Sequence, residues 1–149
     1  MIRKAKMEDV KKIHALLDEH GEGAVIPRSL AELYEHLRDF YVYTEGDEVI
    51  GVAALHIAWD NLAEVRSLAV STDQRGKDIG TVLIKACLNE SRGLGINTVF
   101  VLTYVPKYFE RLGFQEVDKA ALPHKIWSDC IKCSKFPDCD ETAMQIKLN

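Results

Sequence analysis

Long apolar runs are missing from this chain: no stretch approaches the ~20 uninterrupted apolar residues that a membrane-spanning helix requires. No secretory leader is expected either, because Met1-Ile2-Arg3-Lys4-Ala5-Lys6 runs into a charged, helix-like segment and not into an apolar core. An excess of basic charge is also absent. Nineteen Lys and Arg stand against 23 Asp and Glu, for a formal charge of -4, which argues against nucleic acid as a partner because phosphate binding needs a clustered basic face. There is no internal repeat, low-complexity tract or linker, so the reading is one domain over residues 1–149. Cysteine is scarce, and three of the four (Cys130, Cys133 and Cys139) fall within ten residues of one another. In a reducing compartment that clustering suggests thiols or a metal before disulfides. Together these absences predict a soluble, cytoplasmic protein.

What is present is enough apolar residue, 47%, for one real core. Residues 2–6 are a short strand candidate, and Val10, Ile13, Leu16 and Leu17 recur at helical spacing. Ser29 sits three residues before Glu32, a capping-box pattern, and Leu30, Leu33, Leu37 and Phe40 continue a helical stripe. Residues 40–44, 49–59 and 63–70 are β-rich and are divided by Glu45-Gly46-Asp47 and Asp60-Asn61, so a meander is expected. Ile79, Val82, Leu83, Ala86 and Cys87 mark a strong helix, residues 97–102 a buried strand, and residues 107–112 a short helix stopped by Gly113. Two further strands are predicted near 114–117 and 144–148, flanking a cysteine-containing insert at about 123–140. The order β-α-α-β-β-β-α-β-α-β, insert, β predicts an α/β (α+β) chain: a mixed sheet with helices on both faces.

The most informative stretch is Leu68-Ala69-Val70 followed by Arg75-Gly76-Lys77-Asp78-Ile79-Gly80-Thr81. A buried strand feeds a glycine-bearing loop that opens a helix. The unpaired N–H groups and positive dipole end of such a helix suit phosphate, and Arg75 and Lys77 add charge beside it. Gly76 and Gly80 allow close backbone approach by a ligand. On spacing alone, an ordinary β-α turn with solvated charges accounts for the segment equally well.

The segment resembles the acetyl-CoA pyrophosphate loop of the GNAT superfamily of N-acetyltransferases, Arg/Gln-x-x-Gly-x-Gly/Ala after a strand ending in Leu-x-Val. Arg75, Gly80 and the Leu68/Val70 strand end match, whereas Asp78 stands where the family usually has glycine. Tyr108-Phe109-Glu110-Arg111-Leu112-Gly113-Phe114 is similar to the superfamily's Tyr-Glu-Lys-Leu-Gly-Phe segment. The resemblance implies a mostly antiparallel sheet flanked by helices, and acetyl-CoA as cosubstrate held by Leu68, Ala69, Val70 and residues 75–81. Ile26-Pro27-Arg28-Ser29, Glu64-Val65-Arg66-Ser67-Leu68-Ala69-Val70 and Phe100-Val101-Leu102-Thr103, among others, further resemble the acetyltransferase domain of bacterial N-acetylglutamate synthases. That narrower likeness implies a short, stand-alone form without the amino-acid kinase domain of long synthases. It also implies an amino acid, glutamate foremost, as the small-molecule acceptor, and a place in arginine biosynthesis. A homodimer is left open.

Acetyl transfer to an amine needs a positioned thioester, a deprotonated amine, oxyanion stabilisation and a protonated thiolate. Glu64 is the candidate base. It lies six residues before Val70 on one strand, and strict alternation predicts that both side chains share a face. An exposed strand glutamate is the competing explanation. Many superfamily members place a general-acid tyrosine where this chain has Phe109, and the resemblance to the synthases moves that part to Thr103 at the end of the fifth strand. Arg28 precedes the capped helix and is the candidate fork for an acceptor α-carboxylate; a surface arginine is the alternative. His124, Cys130, Cys133 and Cys139 offer four soft ligands, yet their spacing is not that of common zinc knuckles, so no metal is expected. Two other readings stay open: the same chemistry on a polyamine, a protein N-terminus or another amino acid, and a non-catalytic acyl-CoA module sensing metal or redox state through its cysteines.

Overall fold

The computed structural model of the protein describes residues 1–19, 29–71, 78–122 and 141–148. Strand β1 (Ile2–Lys4) is followed by a single 3-10 turn and α1 (Val10–Glu19), then α2 (Leu30–Glu35) and a second 3-10 turn. The meander β2 (Phe40–Glu45), β3 (Glu48–Trp59) and β4 (Leu62–Val70) leads to α3 (Ile79–Gly93), β5 (Thr98–Thr103), α4 (Pro106–Arg111), β6 (Gln115–Glu116) and β7 (Thr142–Lys147). These seven strands form one sheet in the order β1-β2-β3-β4-β5-β7-β6. Every neighbouring pair is antiparallel except β4 and β5. The mixed sheet expected from the sequence is therefore present.

Each face of the sheet carries its own helices. Val10, Ile13, Leu16 and Leu17 of α1 and Leu33 of α2 bury against Phe40, Val42, Val52, Ala54 and Ala69. On the other face Ile79, Leu83, Ile84, Cys87 and Leu88 of α3, with Phe109 of α4, pack on Ala53, Leu55, Ala63, Val65, Val99 and Val101. Alternating residues of β3 thus serve two cores, which is why the strand reads as a nearly continuous apolar run. Asp9, 1% exposed, anchors the entry to α1: its carboxylate accepts from the Lys6 N–H at 2.7 Å and pairs with Arg3 at 2.7 and 3.0 Å.

The capping box at α2 forms as expected, with the Ser29 hydroxyl accepting from the Glu32 N–H at 3.1 Å. The apolar stripe suggested a helix continuing to Phe40. The helix instead ends at Glu35, because His36 leaves helical geometry (φ -106°, ψ 19°) and the chain tightens into a 3-10 turn over Leu37–Asp39 before β2. The strand expected over 114–117 shortens to Gln115–Glu116, and the last strand starts earlier than expected, at Thr142. Asn61, at φ 55° in the β3–β4 turn, bonds the start of β5. Its side chain donates to Asn97 Oδ1 at 2.7 Å and accepts the Asn97 N–H at 2.8 Å, fixing where the parallel pair begins.

Candidate active site

Strands β4 and β5 begin side by side and then part. Among the described residues their ladder runs Leu62↔Thr98, Ala63↔Val99 and Glu64↔Phe100 and ends there, although β4 continues to Val70 and β5 to Thr103. The result is a wedge in the sheet with Glu64 at its apex. On the β3 side β4 stays paired, and the Ser71 N–H donates to Ile50 O at 2.8 Å. Successive N–H groups on a strand point to opposite edges, so the Val70 N–H faces the wedge.

A bulge in β4 changes which side chains face where. Between the pairs Val52↔Ala69 and Ala54↔Arg66, β4 has one residue more than β3, and Ser67 takes a left-handed φ of 56° to absorb it. Before the bulge Ala63 and Val65 face the α3 core; after it Leu68 and Val70 do, while Ala69 joins the α1/α2 core. Glu64 and Val70 therefore lie on opposite faces, correcting the same-face expectation. One inserted residue inverts the alternation. Glu64 is 6% exposed, so it is no solvated strand glutamate. It sits opposite His56 of β3, with Arg66 Nη1 at 3.8 Å from its Oε1.

Thr103 shares the alternation of Val99 and Val101, on the α3 side. It is buried, and its Oγ1 accepts the Val105 N–H at 2.9 Å, leaving the hydroxyl hydrogen to donate elsewhere. Glu64 and Thr103 thus flank the wedge from its two faces and do not share one.

The rim of the wedge is the start of α3. Asp78 caps that helix at φ 58°, ψ 21°, and its side chain accepts no capping hydrogen bond. The left-handed backbone explains why glycine suits this position in the resembling family. Gly80 lies against the strand end, with Val70 Cγ2 at 3.9 Å from where a Cβ would stand. Its nearest neighbour is the Tyr108 hydroxyl, 3.1 Å from that point. The Cβ position of Gly80 is thus filled from α4 by the Tyr108 hydroxyl. Tyr108 Oη lies 2.7 Å from Thr81 Oγ1, so α4 is tied to the first turn of α3. Phe109, where the superfamily often has tyrosine, is 2% exposed and stacks edge-on with Tyr108 and Phe114. Adjacent helix residues diverge by about 100°, so with Phe109 buried Tyr108 points elsewhere, and it meets Thr81 of α3. Arg28, Arg75, Gly76 and Lys77, and the set His124, Cys130, Cys133 and Cys139, lie outside the described residues.

A sheet opened between two parallel strands, with a helix N-terminus at the mouth, leaves a cleft that suits an extended ligand carrying phosphate at one end. Comparison with known proteins agrees. The acetyltransferase (GNAT) family model matches residues 9–114, and the chain belongs to that family of acetyl-CoA-dependent enzymes. It is 41% identical over 147 residues to an uncharacterized N-acetyltransferase of Chlorobaculum tepidum, covering 96% of this chain and 93% of that one. It is 31% identical to an amino-acid acetyltransferase of Mycobacterium tuberculosis, over 87% of this chain and 76% of that one. The structure of N-acetylglutamate synthase from Neisseria gonorrhoeae, complexed with coenzyme A and N-acetyl-glutamate, superposes with a TM-score of 0.88 at 27% identity. It covers all of this chain and 35% of that one. No helix among the described residues is long and apolar enough to cross a membrane.

Proposed function

We propose that this N-acetyltransferase moves the acetyl group of acetyl-CoA onto the α-amino group of an amino acid, glutamate foremost. The observation that carries the reading is the buried carboxylate of Glu64 at the apex of the β4–β5 wedge. The named relatives and the synthase structure support the acceptor class. In this reading the pantetheine arm enters the wedge along Leu68, Ala69 and Val70, and the pyrophosphate sits on the loop from Arg75 to Thr81. The Val70 N–H polarises the thioester carbonyl. Glu64 takes a proton from the acceptor ammonium, directly or through a water, and the free amine attacks the carbonyl carbon. The C–N bond forms, the oxyanion collapses, the C–S bond breaks, and the second proton of the acylated nitrogen passes to the leaving thiolate. Thr103 serves that last step with a hydrogen bond; a thiol of pKa about 8.5 needs little more near neutral pH. Arg28 pairs with the acceptor α-carboxylate. The product class fits a cytoplasmic step of arginine biosynthesis.

The test is thiol release from acetyl-CoA across the twenty amino acids, with polyamines and a peptide N-terminus alongside. Glutamate is expected to give the highest kcat/KM. Release driven best by a polyamine or peptide would replace the acceptor assignment, and no amine-dependent release at all would sink the catalytic reading.

A further inference from the structure

We infer that His36, Asp39 and His56 form a binding site for one first-row divalent transition ion, Zn²⁺ or Ni²⁺, on the α1/α2 face of the sheet. Each offers one ligand atom, and the three atoms lie within 4.8 Å of one another. Asp39 Oδ2 is 3.4 Å from His56 Nδ1 and 3.8 Å from His36 Nδ1. The first distance is at the edge of a hydrogen bond and the second is beyond it, so two imidazoles converge on one carboxylate oxygen without a good bond to either. Tetrahedral ligands with bonds of 2.0–2.2 Å stand about 3.3 Å apart. The widest pair therefore has to close by at most roughly 1.5 Å, which side-chain rotation supplies.

The scaffold under the three residues is firm. His36 and Asp39 are held at i and i+3 by the Asp39 N–H donating to His36 O at 2.8 Å. His56 stands on the central strand β3, paired with Glu64 of β4. The two rings meet edge-on at 5.8 Å between centroids, both facing the same small space. All three side chains are part-exposed, leaving room for water to complete the shell and a path for the ion to enter. Two imidazoles and one carboxylate suit zinc and nickel far better than magnesium or calcium, which prefer all-oxygen shells.

The test must separate this site from the cysteines of residues 130–139. Full-chain protein is titrated with Zn²⁺ while the imidazole signals are followed by NMR, and Co²⁺ is used in parallel as an optical probe. One equivalent of Zn²⁺ is expected to shift His36 and His56 and to leave His14, which pairs with Asp18 at 3.6 Å, in place. Co²⁺ should give weak d–d bands assigned to this site, and Asp39→Asn should weaken binding by more than about tenfold, the least that even an outer-shell partner is worth. The inference is overturned if millimolar Zn²⁺ leaves both His36 and His56 unmoved. It is also overturned if the only bound Co²⁺ carries intense thiolate charge-transfer bands and Asp39→Asn binds like the wild type.

Discussion

At the scale of single residues, substitutions at Glu64 and Arg28 test the proposed chemistry and the proposed acceptor binding separately. Glu64→Gln keeps nearly the same shape but cannot take a proton, so kcat should fall by about 10²-fold or more near neutral pH. Raising the pH should restore part of it, since more amine then arrives already deprotonated. Wild-type kcat for this variant across roughly pH 6 to 9 would remove Glu64 from the mechanism. Arg28→Ala should instead raise the acceptor KM by roughly thirty- to a hundredfold, the worth of a charge-assisted contact, and leave the acetyl-CoA KM nearly unchanged. Cys87 tests the environment of α3. Burial, and then the charge of Glu90, push its thiol up to about 12, so at pH 8 it stays protonated and sequestered. Alkylation mapped by mass spectrometry should leave Cys87 unmodified in the native protein and modify it after denaturation. Rapid native labelling would mean that α3 opens readily.

At the scale of elements, the seat of α3 on the sheet is the joint on which the site depends. Gly51 of β3 makes that joint tight: a Cβ there would stand 2.8 Å from Ile79 Cγ2 and 3.0 Å from Leu83 Cδ1. Gly51→Ala must push the start of α3 outward, at a cost of about 1–3 kcal/mol. Chemical denaturation should register that loss, and the acetyl-CoA KM should rise with it; an unchanged midpoint would show that the helix accommodates the methyl freely. Asp78 acts at the same joint. Its left-handed backbone costs about 1 kcal/mol relative to glycine, and it adds a negative charge to the loop proposed to hold the pyrophosphate. Asp78→Gly should raise Tm by about 2–4 °C and leave acetyl-CoA binding intact or tighter. Acetyl-CoA binding weakened tenfold in that variant would contradict the loop assignment.

At the scale of the whole molecule, a ligand that bridges β4 and α3 stabilises both cores at once. Coenzyme A at 100 times its Kd adds about 2.7 kcal/mol to folding stability, which for a domain of this size raises Tm by roughly 5–10 °C. A thermal scan with and without coenzyme A reads this directly, and no shift at saturating ligand would place binding elsewhere than the native fold.

Most of the architecture was legible in the sequence because helix and strand periodicities are local. Val10, Ile13, Leu16 and Leu17 announced α1, Ser29 and Glu32 capped α2, and the apolar run at 97–102 marked a strand buried on both faces. The family resemblance rested likewise on contiguous segments around Val70 and Tyr108. What escaped the sequence depends on partners distant along the chain. The bulge at Ser67 is set by pairing with β3, and it alone moved Glu64 to the face opposite Val70. The end of α2 at Glu35, where His36 leaves helical geometry and Phe40 pairs with Ala54 of β3, runs against the apolar stripe through Phe40. Tyr108 meets Thr81, and His36 and Asp39 meet His56, only after the sheet has folded. The sequence by itself determined most of the elements, the family and the candidate residues for the chemistry, since each is written in neighbouring positions. Which side chains share a face, and which converge on one point, belonged to the tertiary structure, because register and bulges are settled between strands and not within them.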